Sequence, residues 1–225
     1  VGERIALATL DGAPFAAYHA PPLEARRGGI VVLHAIWGVT PHLRQLADSL
    51  AEQGYEVILP SLMDAADAAF PSEDTTPTIL EARMAMGERT GWGASILPRV
   101  QACIDALEGP VYAMGFCYGG TTAWLAASRC EGLSAVSAFY GGDIAAYRDE
   151  APRVPTILHF GKADTMIPLA DVEAIRERHP ELPIYLYDAG HAFVAPNGHH
   201  PDSARLSLLR TLQLFQRSGG TKAET

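Results

Sequence analysis

The arrangement in this chain best fitted to do chemistry is a single thiol framed by glycines, Gly115-Phe116-Cys117-Tyr118-Gly119-Gly120. A short apolar run, Val111-Tyr112-Ala113-Met114, precedes it and reads as a buried strand, and Thr121 to Ala127 reads as a helix. A strand-to-helix reversal this tight forces its central residue into a strained backbone conformation, so its neighbours must lack side chains. It also lifts Cys117 to the top of a sheet and the positive end of a helix, where a thiolate is stabilised. The pattern is the nucleophile elbow G-x-S-x-G with sulfur in place of oxygen. The chemistry it predicts is attack on an acyl carbon. Most free cysteines are small core residues, and Cys103 and Cys130 are expected to be no more than that.

Such a thiol needs a base and a group to orient the base. The strand Thr156-Ile157-Leu158-His159-Phe160 runs into Gly161-Lys162-Ala163-Asp164, and Ile184-Tyr185-Leu186-Tyr187 runs into Asp188-Ala189-Gly190-His191. Nucleophile, acid and histidine in that chain order suit a strand–turn–helix nucleophile. His191 would hold or withdraw the thiol proton, and Asp164 would fix its tautomer and favour the imidazolium. Asp171 and Asp188 also lie near strand ends, and loop aspartates often only cap turns. Asp164 is preferred because a short glycine-containing loop lets its carboxylate swing beneath an imidazole. Among the other histidines, His34 is expected to pack or hydrogen-bond at a strand end. His199-His200 form no recognisable metal-ligand set, so no metal is expected. An oxyanion hole needs two backbone donors, expected from the amides of Tyr118 and Ile36, with Trp37 walling the pocket or packing in the core.

The elements that must position these residues follow from pattern. Residues 3–9 and 13–20 flank Asp11-Gly12, a hairpin signal. Ile30 to Leu33 is a continuous apolar run, His42 to Gln53 carries one apolar stripe and is stopped by Gly54, and Tyr55 to Leu59 is the next strand. Residues 60–78 are irregular and acidic, with helices at about 78–89 and 94–108, the second tolerating Pro98 in its first turn. Strands at 134–139, 155–160 and 183–187 alternate with helices at 170–179 and 203–216, and 140–153 is a loop too short for a helical lid. Strands alternating with helices predict a mostly parallel sheet covered on both faces, in one domain over residues 1–217 with a flexible tail at 218–225.

Composition narrows the function classes. The chain has 225 residues, 48% of them hydrophobic, and a formal net charge of −9, which argues against nucleic acid as a partner. No apolar run has the length to span a bilayer and no signal-peptide pattern opens the chain, so no membrane partner is expected. Three cysteines without regular spacing point to a reducing cytoplasm.

Taken together, these motifs resemble the dienelactone hydrolase family, also called carboxymethylenebutenolidases. The resemblance runs from Gly29 to Gln216 and rests on Val31 to Val39, the Cys117 elbow, Phe139-Tyr140-Gly141-Gly142, His159 to Asp164 and Ala189-Gly190-His191-Ala192-Phe193. It implies an α/β-hydrolase fold with no lid domain and a monomer without cofactor that cleaves an activated ester or lactone, a small molecule, through a thioester. It places the family's Cys–Asp–His triad on Cys117, Asp164 and His191, with Trp37 and Tyr140 expected at the substrate.

Two departures bear on function. Where the family pattern resembles Gln-Glu-Ile-Phe-Gly-Val, this chain has His34-Ala35-Ile36-Trp37-Gly38-Val39, and the glutamate that holds the family's resting thiol neutral is absent. Cys117 is therefore expected to pair directly with His191 as a thiolate. The family's founding members also grip an anionic substrate with arginines after the fourth strand and just beyond the histidine. Here residues 60–82 and 192–204 contain neither Lys nor Arg, so neutral substrates are expected.

Sulfur is itself a good leaving group, so collapse of a tetrahedral intermediate favours expulsion of phenolate or enolate over an amine. Esters, enol lactones and thioesters are thus expected rather than amides. Two alternatives on the same scaffold are an acyltransferase and a catalytically silent binding protein; a redox-sensing thiol is a third, for which no nearby second cysteine offers resolution.

Overall fold

A computed structural model describes residues 2–63, 70–72, 80–81, 83–85 and 91–219. Eight strands form one sheet in the order β1-β2-β4-β3-β5-β6-β7-β8. β1 (Glu3–Ala8) and β2 (Pro14–Ala20) make the hairpin expected around Asp11-Gly12, and β2 also runs antiparallel to β4 (Tyr55–Pro60). All remaining pairings are parallel, through β3 (Gly28–Leu33), β5 (Val111–Phe116), β6 (Leu133–Phe139), β7 (Thr156–Gly161) and β8 (Ile184–Tyr187). Every residue of β3 and β5 is buried. Successive side chains face opposite ways, so both faces of the sheet are covered there.

Among the described residues, the helices whose full spans are seen are α1 (Pro41–Glu52), α2 (Leu97–Asp105), α3 (Tyr118–Arg129), α4 (Leu169–Arg178) and α5 (Pro201–Ser218). α1 starts where Thr40 accepts from the Leu43 amide with Pro41 in its first turn, and it ends before Gly54, whose φ of 89° few other residues adopt. The helix expected at 94–108 differs at its start. Trp92–Ile96 winds as a wider π-helical turn, and regular α2 begins only at Leu97, because Pro98 has no N–H to give the preceding turn. Of the helix expected at 78–89, residues 80, 81 and 83–85 are helical and the rest lie outside the described residues. The 140–153 connection is a loop with one 3-10 turn, Ile144–Tyr147. Ser218 closes α5 rather than opening a tail, and the remainder of the expected tail beyond Gly219 lies outside the described residues.

The chain leaves β3 toward β4 on one side, then runs from β5 through β6, β7 and β8 on the other. A sheet that reverses its winding direction this way opens a crevice at the carboxyl ends of the two central strands. Here that crevice falls between the ends of β3 and β5. Its width is set by α3, whose residues 119–127 are all buried. A Cβ on Gly119 would stand 2.1 Å from the Leu33 carbonyl oxygen, one on Gly115 would stand 1.9 Å from the Gly119 oxygen, and one on Gly120 would stand 2.3 Å from the Phe139 oxygen. The first turn of the helix is thus pressed against two strand ends. Gly119→Ala is expected to lower stability by about 1–3 kcal/mol in urea unfolding, with Gly142→Ala, whose Cβ meets open space, unchanged. Equal midpoints for both variants would show that the helix is free to retreat.

Candidate functional site

One residue separates β5 from α3, and the chain must turn through it. Cys117 takes φ 54° and ψ −112°, a left-handed conformation that costs a non-glycine residue about 1–3 kcal/mol. Three backbone hydrogen bonds hold it there: its N–H donates to the Phe139 carbonyl at 2.9 Å, and its own carbonyl accepts from Gly120 at 2.8 Å and Thr121 at 3.1 Å. The thiol is left at the N-terminal end of a twelve-residue helix.

The loops after β7 and β8 bring two more side chains to it. Asp164 has one carboxylate oxygen committed to its own loop, accepting from the amides of Met166 at 2.8 Å and Ile167 at 3.1 Å. Its other oxygen accepts from His191 Nδ1 at 2.7 Å, and His191 Nε2 lies 3.2 Å from Cys117 Sγ. Burial opposes charging the imidazole, but the hydrogen bonds to Asp164 and Cys117 outweigh it and raise its pKa to about 10. Burial likewise resists ionising Asp164, yet His191 and the two loop amides hold its carboxyl below the usual range. The competing aspartates are placed otherwise. Asp188 pairs with Lys162 at 2.7 Å in solvent, and Asp171 sits in the first turn of α4.

Cys117 and His191 open onto a cavity of about 170 Å³. Ala35, Ile36, Trp37 and Tyr140 share its wall, and Trp37 is half-buried there rather than sunk in the core. Tyr118 opens α3 directly after the thiol; its ring packs at 4.2 Å on Trp92. Tyr140 directly follows β6 at φ 38°, with its ring centre 5.1 Å from that of His191, and burial drives its phenol pKa well above the ordinary value. Most of the wall is apolar, and none of its described residues is Lys, Arg, Asp or Glu. His34 is fully buried and hydrogen-bonded at the end of β3, while His200 caps α5 through Ser203.

Several wall residues carry no signal in a sequence scan. Met166 and Asn197 belong to the same two loops as Asp164 and His191, and His42 lies in the first turn of α1. Arg83 stands one residue past the cation-free stretch and is only 7% exposed. Its Nε donates to the Ile36 carbonyl at 2.7 Å, so it braces the loop and is absent from the cavity wall. Only its place in space, not its spacing, distinguishes it.

The family model for dienelactone hydrolases matches residues 15–219. This chain belongs to the dienelactone hydrolase family. A Salmonella typhimurium protein provisionally named a carboxymethylenebutenolidase is 32% identical over 239 residues, covering 94% of this chain and 86% of that one. The carboxymethylenebutenolidase of Pseudomonas putida is 28% identical over 228 residues, 95% of each chain. Among solved structures, a provisionally assigned dienelactone hydrolase from Klebsiella pneumoniae superposes with a TM-score of 0.77 at 26% identity, covering 95% of this chain and 98% of that one. The fold is therefore the α/β-hydrolase fold, and the family's members are hydrolases. Among the described residues no helix is long and apolar enough to cross a membrane.

The charge state of His191 makes the stability of this dienelactone hydrolase family member depend on pH. Its folded pKa is raised above the 6.5 of a free histidine, so its contribution to stability is complete below about pH 6.5 and lost as pH rises through about 10. The Tm gap between the parent and His191→Gln is expected to narrow steadily across that interval. A gap that stays constant would contradict a charged ring in the folded chain.

Proposed function

We propose that this chain is a cysteine-dependent hydrolase of small, neutral, activated carboxylic esters or lactones, working through a thioester acyl-enzyme. The observation that carries this reading is the unbroken hydrogen-bonded line from Asp164 through His191 to the Cys117 sulfur, which opens onto a cavity whose described wall holds no Lys, Arg, Asp or Glu. Cys117 is the nucleophile, His191 the acid and base, and Asp164 the group that orients and charges His191. The amides of Ile36 and Tyr118 receive the oxyanion, and Trp37 and Tyr140 contact the substrate.

The chemistry follows from the charges. The resting pair is thiolate and imidazolium. Sulfur adds to the carbonyl carbon, the C–S bond forms, and the carbonyl electrons move onto oxygen in the oxyanion hole. Collapse expels the alkoxide or phenoxide, which takes the proton from His191 Nε2. Acylation also removes the negative sulfur that supported the charged imidazole, leaving Asp164 alone to do so. The ring is then a neutral base, able to take a proton from water as its oxygen attacks the thioester. The second collapse breaks the C–S bond, releases the acid and restores the ion pair. Ala35, half-buried on the cavity wall, offers no carboxylate to compete for the thiol at any stage.

Size and charge define the substrate class. An apolar cavity of ~150 Å³ accommodates a benzene-sized group, so about 170 Å³ suits an aryl acetate or a small-ring enol lactone. A carboxylate-bearing substrate would meet no Lys or Arg on the described wall, and the one imidazolium there is already paired with Asp164 and the sulfur. We expect p-nitrophenyl acetate turnover to fall at least ~10³-fold in Cys117→Ala. We also expect kcat/KM for that neutral ester to exceed the value for anionic dienelactone at least tenfold, ~1.4 kcal/mol in transition-state binding. Turnover surviving in Cys117→Ala, or equal efficiency on both substrates, would overturn the corresponding half of the assignment. Acyl transfer to an added alcohol outpacing hydrolysis would reassign the second step alone.

A further inference from the structure

The loop after β3 carries Ile36, a residue of the cavity wall, and it is held from behind by a histidine that does not line the cavity. His34 is 0% exposed, and both of its ring nitrogens have partners. The Leu62 amide donates to Nε2 at 2.9 Å, so Nε2 carries no proton. The proton must then sit on Nδ1, which donates to the Ala35 carbonyl at 2.6 Å. That carbonyl receives a second donor, the Gly38 amide at 3.2 Å.

The Ala35 carbonyl is one end of the peptide unit whose other end is the Ile36 N–H. No peptide in the described chain is cis, and in a planar trans unit the carbonyl and the amide point in opposite directions. Pinning the carbonyl onto the buried ring therefore aims the amide away from that ring. Ala35 and Ile36 meet Cys117 across the cavity, and the first turn of α3 lies against the backbone of Leu33 and His34.

We infer that His34 is a positioning residue for the oxyanion hole: by clamping the Ala35 carbonyl, it points the Ile36 amide at the developing oxyanion and polarises that peptide to make it a stronger donor. The inference rests on Cys117 acting as the nucleophile proposed above. The clamp works with a neutral ring, because a proton on Nε2 would face the Leu62 N–H. Burial, reinforced by Arg83 and Arg99, lowers the pKa of His34 to about 4. The two arginines also brace the surroundings. Arg83 holds the next carbonyl along the loop, that of Ile36, and Arg99 Nη1 donates at 2.9 Å to the Ser61 carbonyl beside the Leu62 amide. A hydrogen bond donated to one end of a peptide strengthens the donor at its other end, which links the buried ring to the chemistry without contact.

The test is His34→Leu, which removes both hydrogen bonds at similar bulk, with His34→Phe read in the same way should the leucine variant not fold. Removing an oxyanion donor outright costs ~10²–10³ in rate, and here the donor is misaimed while Gly38 still holds the carbonyl. We therefore expect kcat/KM for p-nitrophenyl acetate to fall about 10- to 30-fold. The Ki of an aryl trifluoromethyl ketone, to which Cys117 adds to place an oxyanion in the hole, should rise by the same factor. Alkylation of Cys117 by iodoacetamide, which creates no oxyanion, should change less than twofold. His34→Gln, carrying a neutral donor and acceptor on one planar group, should recover most of the lost activity. Activity and Ki within threefold of the parent, or alkylation slowing in step with turnover, would overturn the assignment. Turnover that persists in Cys117→Ala would instead remove the reading beneath it.

Discussion

A close approach of backbones governs this molecule. The first turn of α3 presses on the ends of β3 and β6 at distances that leave no room for a side chain at Gly115, Gly119 or Gly120. The residue between strand and helix then has nowhere to turn except through a left-handed conformation, and that residue is Cys117. The strain is held by three backbone hydrogen bonds around it. The same contact brings the loop after β3 beside the helix N-terminus, which is why one crevice collects a thiol, a helix end and the Ile36 loop.

Onto that frame the later strands deliver charge. Asp164 spends one oxygen on its own loop and the other on His191, so the imidazole is held at both ends, by carboxylate on one side and sulfur on the other. Two supports for one positive charge have a mechanistic consequence. Acylation of the sulfur, as proposed, removes one of them, so the ring gives up its proton more readily and is left neutral, free to accept a proton from water. In the proposed cycle the thiol thereby acts as nucleophile and as the switch that changes His191 from acid to base. Behind the wall, buried His34 and Arg83 hold the Ala35 and Ile36 carbonyls, and half-buried Arg99 holds the Ser61 carbonyl, none of the three lining the cavity.

Local chemistry was legible in the sequence where it is encoded by spacing. The hairpin at Asp11-Gly12, the buried strands and the strand–Cys–helix reversal each depend on residues adjacent in the chain, and the observed strands and helices begin and end close to the expected positions. Boundaries shifted where backbone hydrogen bonding, not pattern, decides: Pro98 converts the expected start of α2 into a π-helical turn, and Ser218 continues α5. What spacing does not carry is contact across the fold. Chain order alone does not separate Asp164 from Asp171 and Asp188. The short glycine-containing loop after β7 favours Asp164; what the sequence could not show is how that loop folds so that one oxygen accepts from the Met166 and Ile167 amides while the other meets the imidazole. Arg83 looks like any helical arginine until its guanidinium is seen against the Ile36 carbonyl, and the positive φ of Tyr140 is visible only in the backbone.

The central claim, that the sulfur of Cys117 takes the acyl group, is tested most directly by rapid quenching of the enzyme during p-nitrophenyl acetate turnover, followed by mass spectrometry of its peptides. One acetyl group is expected, on Cys117 alone, formed as fast as p-nitrophenol appears and removed by neutral hydroxylamine. Steady turnover with an unmodified Cys117, or with the acetyl group on another residue at that rate, would contradict it.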